Sequence, residues 1–157
     1  MWPFGKKYSA LTKLDAAADR WSVVHGIMDG DQILFRINDT ANKWVGHPEM
    51  NLKLGFAIPL NQPTPGGIGT AEENKVLQEI EELIFKAVEE RCTGILVLVI
   101  SDGRMKEFVF YIVPGPDLRQ MHLGIQDQVK THEVQCIGQI EKQWESYVYF
   151  RNLRKGK

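Results

Sequence analysis

Four residues carry the most suggestive chemistry in the chain. Arg36 sits in a β-rich run, Asn38 closes that run, and Trp44 and His47 follow in a loop longer than a hairpin needs. A guanidinium, an amide, an indole and an imidazole together suit recognition of an anionic or aromatic group. Arg36 alternates with apolar neighbours, so it lies opposite the face formed by Ile33, Phe35 and Ile37. A guanidinium on a strand is better preorganised than one on a floppy loop. His47 precedes Pro48 and is biased toward extended backbone. Arg36, Asn38, Trp44 and His47 are therefore the candidate residues for ligand or partner binding. The competing reading is a tethered loop, with Trp44 as packing anchor and Arg36 bonded to backbone carbonyls.

Other chemistries find less support, and no catalytic, cofactor-binding or metal-ligating residue is assigned. The run Gly66-Gly67-Ile68-Gly69-Thr70 opens a helix, where phosphate can bind. No lysine follows its last glycine, and Glu72 and Glu73 already place negative charge at the helix start. The histidines His25, His47, His122 and His132 form no i,i+4 pair, and there is no Cys-x-x-Cys. None of Ser9, Ser22, Ser101 or Ser146 lies in a Gly-x-Ser-x-Gly elbow. Cys92 falls just past a helix end, where the dipole disfavours a thiolate.

The bulk numbers bound the class. The chain has 157 residues, 43% hydrophobic and 25% charged, with a formal net charge of -1. That is ordinary for one globular domain and argues against a dedicated, sequence-specific nucleic-acid binder. Two cysteines, Cys92 and Cys136, do not make a disulfide framework and read as buried thiols in a reducing, cytoplasmic compartment. No apolar run reaches the roughly 18 residues a membrane span requires. Trp2 and Phe4 beside Lys6 and Lys7 suit contact with a membrane surface or, more simply, a frayed terminus.

The elements that must position these residues follow from periodicity. A lead-in over residues 1–20 includes a short helix over 9–20, with Leu11, Leu14 and Ala18 on one face. Trp21 to Met28 and Gln32 to Ile37 flank Asp29-Gly30, a strong hairpin signal. Residues 38–50 form a polar loop. Leu52, Leu54, Phe56, Ile58 and Leu60 alternate along a third strand, with Pro59 at an edge or bulge. Thr70-Ala71-Glu72-Glu73 is a capping box for a helix whose stripe is Val76, Leu77, Ile80, Leu83, Ile84, Ala87 and Val88. The apolar run 95–100 is a strand covered on both faces, turned by Asp102-Gly103 into a partner over 106–113. A second helix over 117–130, a strand over 133–140 and a short closing helix around Trp144 and Tyr147 complete the chain. The expected fold is α+β: a ferredoxin-like split βαβ core behind an N-terminal β-hairpin, with helices packed on one face of a mainly antiparallel sheet. One domain spans 21–153, and 154–157 form a basic tail.

Charge divides along the chain. The long helix holds seven glutamates against Lys75, Lys86 and Arg91, whereas Lys142, Arg151, Arg154, Lys155 and Lys157 face only Glu145 near the end. These are either two solvated faces or one surface complementary to a partner.

The order of Trp21, Asp29-Gly30, Arg36, Asn38, His47-Pro48, Phe56-Ala57-Ile58-Pro59-Leu60, Thr70-Ala71-Glu72-Glu73, Asp102-Gly103, Lys106-Glu107-Phe108-Val109-Phe110-Tyr111 and Trp144 with Tyr147 resembles a bacterial family, domain of unknown function 695. The resemblance covers roughly residues 20 to 153. The chain departs from the family pattern at Gly69, where Pro is usual. It departs again at Lys142-Gln143, where an acidic-Pro-Glu run precedes the Trp. The resemblance implies a bacterial, cytoplasmic protein and supplies no activity, cofactor or catalytic residue. Some members are joined to a small domain resembling a bacterial ribonuclease inhibitor, which implies by association a regulatory, protein-binding role. The expected function is a non-enzymatic protein-binding regulatory or accessory module. The alternative is an enzyme or small-ligand binder using the Arg36–His47 region.

Overall fold

The Asp29-Gly30 pair turns as its chemistry dictates. Backbone φ is 53° at Asp29 and 84° at Gly30, the positive values a two-residue primed turn requires. It joins β1 (Trp21–Met28) to β2 (Asp31–Asn38), antiparallel in unbroken register from Trp21–Asn38 to Met28–Asp31. There follow β3 (Leu52–Pro59), α1 (Ala71–Arg91), β4 (Gly94–Ser101), β5 (Met105–Ile112), α2 (Leu118–Gln128), β6 (Gln135–Ile140) and α3 (Glu145–Arg154). This computed structural model describes residues 8–154. The expected surface contact of Trp2 and Phe4 and the last lysines of the basic tail lie outside the described residues.

The strands form one open six-stranded sheet in the order β1-β2-β4-β5-β3-β6, with every neighbouring pair antiparallel. The fold is α+β, and the N-terminal hairpin extends the sheet beyond β4, as expected. From β3 to β6 the chain runs strand, helix, strand, strand, helix, strand, roughly consistent with the split βαβ expectation. Pro59 lies beyond the last pair between β3 and β6, Ala57–Gln135, so its missing N–H costs nothing on that side.

Each face of the sheet has its own core. On one face Leu54, Phe56 and Ile58 of β3 and Phe108, Phe110 and Ile112 of β5 meet Leu77, Ile80, Ile84 and Val88 of α1 and Met121 and Ile125 of α2. On the other, Phe35, Ile37, Val97, Val109 and Tyr111 meet Trp44, Trp144 and Tyr147. The two longer helices thus share one face, and the closing helix α3 covers the other. Ile95–Val99 are buried throughout, because β4 lies between both cores.

Local differences from the expected elements have physical causes. The helix expected over 9–20 is instead two single turns of 3-10 helix, Leu11–Lys13 and Ala16–Ala18. Its apolar face is too thin to sustain more, and only Leu11 and Leu14 pack against the second core. The polar loop after β2 contains a 3-10 helix, Asp39–Trp44, that buries Ala41 and Trp44. The last strand starts at Gln135 rather than Glu133, since the Val134 N–H is taken by Gln126 Oε1 at 2.8 Å. The second helix stops at Gln128 and is capped by Asp117, which accepts from the Gln120 N–H. Leu83 is only partly buried at the flank of the α1 stripe, whose centre is Leu77, Ile80, Ile84 and Val88.

Candidate functional site

Arg36 projects from β2 toward α1, because its register partner Val99 belongs to the core on that face. Its Nη2 donates to Glu81 Oε2 at 2.5 Å. Lys106 of β5 reaches the other oxygen of the same carboxylate, Nζ to Oε1 3.6 Å. Arg36 also lies over the Trp21 ring, 5.7 Å from its centroid. Two cations therefore share one carboxylate. They line an open cleft of about 400 Å³ between α1 and the sheet, with Ile68, Asn74, Gln78, Glu82 and Ser101 around them. Burial pushes the Lys106 ammonium below its ordinary value; Glu81 opposes that shift and Arg36 adds to it.

The other three candidates do not open onto this cleft. The Asn38 side chain is fully buried and donates to Asp19 Oδ2 and to the Leu96 carbonyl, both at 2.9 Å. Its backbone carbonyl accepts from the Tyr147 hydroxyl at 2.7 Å. Trp44 is 1% exposed and His47 4%. Their rings stack at a tilt 5.8 Å apart, and Tyr8 closes over His47 at 4.8 Å. The His47 Nδ1 accepts from the Glu49 N–H. Asn38, Trp44 and His47 tie the loop after β2 to the second core, while Arg36 alone faces a space a ligand can enter.

Two polar clusters escaped the sequence reading. In the first, Glu73 is buried, 5% exposed at its side chain. It accepts from the backbone N–H groups of Asn61 and Gln62 at 2.6 and 3.0 Å and from His132 Nε2 at 2.6 Å. Burial alone would raise its pKa; the His132 hydrogen bond and the two backbone bonds outweigh that and hold it low. The capping box is thus half-realised. Thr70 Oγ1 accepts from the Glu73 N–H, but the Glu73 carboxylate fastens the Asn61-Gln62 loop instead of returning to Thr70.

In the second cluster, Glu141 accepts from the Tyr111 hydroxyl, the Ser146 N–H and the Ser146 hydroxyl, and pairs with Lys53 Nζ at 2.9 Å. Lys53 Nζ also donates to Ser146 Oγ at 3.1 Å. A serine beside a lysine invites comparison with Ser-Lys nucleophiles. Here the hydroxyl donates to a carboxylate and the lysine is ion-paired, so neither group is arranged for proton abstraction. Burial favours protonation of Glu141, but bonds from Ser146, Tyr111 and Lys53 hold its pKa low. Its work is to start α3 and anchor it to the sheet. The signal was Glu141 five residues before Ser146, but Tyr111 and Lys53 come from strands far away in sequence.

Cys92 and Cys136 are both free and half-buried. Burial raises both thiols, Cys136 to about 11. Among the described residues no group of three His, Cys, Asp or Glu side chains could hold a metal ion, and no helix is long and apolar enough to cross a membrane.

With the geometry in place, comparison with known sequences decides the family. A family of unknown function, DUF695, matches residues 19–151. The chain belongs to the DUF695 family. The match takes in the hairpin, the full sheet and most of α3, so the cleft and both polar clusters lie within the DUF695 domain. No curated protein and no solved structure matches the chain. Family membership therefore brings a domain and its limits, and no activity.

Proposed function

We propose that this DUF695 domain is a non-enzymatic protein-binding module whose α1–sheet cleft receives an acidic side chain of the partner. The observation that carries this reading is that Arg36 and Lys106 share the single Glu81 carboxylate at the wall of an open cleft. A partner carboxylate set between Arg36 and Lys106 would relieve the repulsion between the two cations, while Glu82 at the cleft wall balances the remaining charge. Arg36 is the contact residue, while Asn38, Trp44 and His47 hold its strand end in place. The family resemblance supports a bacterial, cytoplasmic setting, and two free thiols fit a reducing compartment.

The test pairs affinity purification from native cells with melting of the same preparations. Arg36→Ala is expected to lose the captured partner while the domain stays folded, because the Arg36 side chain is 37% exposed. Lys106→Met should weaken capture in the same direction. Retained capture with a lowered melting temperature would show that the Arg36–Glu81 pair only ties α1 to the sheet.

A further inference from the structure

We propose that two copies of this chain join edge to edge through β1, antiparallel about a two-fold axis at His25, into one continuous twelve-stranded sheet. This inference does not depend on the cleft.

The first observation is an unguarded edge. Strand β1 pairs with β2 on one side, and among the described residues nothing pairs with its other side. Proteins usually blunt such an edge with lysine, proline, inward charges or a bulge. The eight residues Trp21–Met28 contain no Lys, Arg, Asp, Glu or Pro, and their register with β2 is unbroken. Val23 is 64% exposed and Ile27 77%. Both lie on the α1 side, opposite Arg36 and Gln32 of β2, in the part of the sheet that α1 does not reach.

The second observation selects a second copy as the occupant. A two-fold axis perpendicular to a sheet keeps each face on its own side, so directly opposed residues must share a face. Centred on His25, the register sets Val23 against Ile27 of the second copy and Ile27 against its Val23. Both apolar pairs lie on the exposed face. On the other face the β-branched Val24 meets Gly26, where there is room. Charge at the strand ends is mixed: exposed Arg20 approaches the turn carboxylates Asp29 and Asp31 of the second copy, and Asp19 approaches them too. Neighbouring registers lose the Val–Ile pairs: one step toward the N-terminus sets Val23 against His25 and Ile27 against Trp21, and one step the other way sets Val23 against Asp29. With a net charge of -1 per chain, two copies do not repel strongly. Strand pairing alone buries less than the roughly 1,000 Å² typical of a stable interface, so the expected dissociation constant is micromolar.

The experiment is sedimentation equilibrium of the full chain across the micromolar range. The wild type is expected to pass from monomer to dimer. The double variant Val23→Lys, Ile27→Lys places lysine against lysine and is expected to remain monomeric with an unchanged melting temperature at low concentration, since both side chains are exposed in one copy. The double variant Val23→Glu, Ile27→Lys opposes unlike charges only in the His25-centred register and is expected to recover the dimer. A wild type monomeric throughout, a dimer that survives the double lysine variant, or a Glu/Lys variant as monomeric as the Lys/Lys one would each overturn the proposal.

Discussion

Trp144 shows how much a single residue can be made to bear. Its φ is 55°, a left-handed conformation that costs a bulky residue about 1–3 kcal/mol. The site over-determines it: the ring stacks on Tyr111 at 4.2 Å and 5°, and Nε1 donates to the Met50 carbonyl at 2.8 Å. Trp144→Ala should therefore destabilise by roughly 3–5 kcal/mol despite the released strain, measured by urea melts. Trp144→Gly should do no worse, because glycine takes the positive φ freely. The carboxylates Glu73 and Glu141 set the acid limit. Both folded pKa values lie below the unfolded ones, so their stabilisation is complete above the ordinary carboxylate value and is lost as pH falls through the lowered values. Melting temperature should drop between about pH 5 and pH 3, and less steeply in Glu141→Gln than in wild type. At this scale the sequence was only partly legible. Thr70 announces itself as a cap because its partner is three residues away, whereas Asp117, which caps α2 in the same way, was read as the first helical residue. The partners of Arg36, Glu73 and Glu141 are not local: Glu81 is 45 residues from Arg36 and His132 is 59 from Glu73. Composition carries no trace of such pairings. Gly69, where the resemblance implied proline, has φ 87°, a value the proline ring forbids.

Among the elements, α1 was the most legible, since its cap and stripe are both written in local spacing. The spacing did not reveal which stripe residue sits deepest. Ile84 is 1% exposed whereas Leu83 is only partly covered. Ile84→Ala should cost about 2–5 kcal/mol and Leu83→Ala clearly less. Thr70→Ala should cost about 1 kcal/mol through the cap. Chemical denaturation of the three variants checks the ranking, and an equal loss at Leu83 and Ile84 would contradict the packing described. The turn at Asp102-Gly103 was foreseen, and Asp102 Oδ1 accepts from the Arg104 and Met105 N–H groups as turn chemistry expects, but the part played by the glycine was not foreseen. Gly103 has no positive φ; a Cβ there would sit 1.9 Å from the Thr64 carbonyl oxygen. The glycine makes room for the loop 61–67, which donates from the Thr64 N–H to the Gly103 carbonyl at 2.7 Å. Close approach between segments is invisible to turn propensity, just as the long reach of Glu73 was.

For the whole molecule, strand count and helix order were readable from hydrophobic periodicity, and the second core was not. The continuous apolar run of β4 says that both faces of that strand are covered, but not which element arrives to cover the second one. That element is α3, which comes last in chain order and seats Tyr147 at 1% exposure, with Phe150 and Leu153 beside it. The consequence concerns synthesis. As the chain leaves the ribosome from its N-terminus, Phe35, Ile37, Val97 and Tyr111 emerge long before their cover does. The nascent domain must carry an apolar sheet face covered only in part, by Ala41, Trp44 and Met50, until α3 clears the exit tunnel. A chain ending at Gln143 should freeze that moment, binding a hydrophobic dye and precipitating where the longer chain does neither. Pausing translation ahead of Trp144 should prolong the same exposure and raise the demand for chaperones that hold nascent chains.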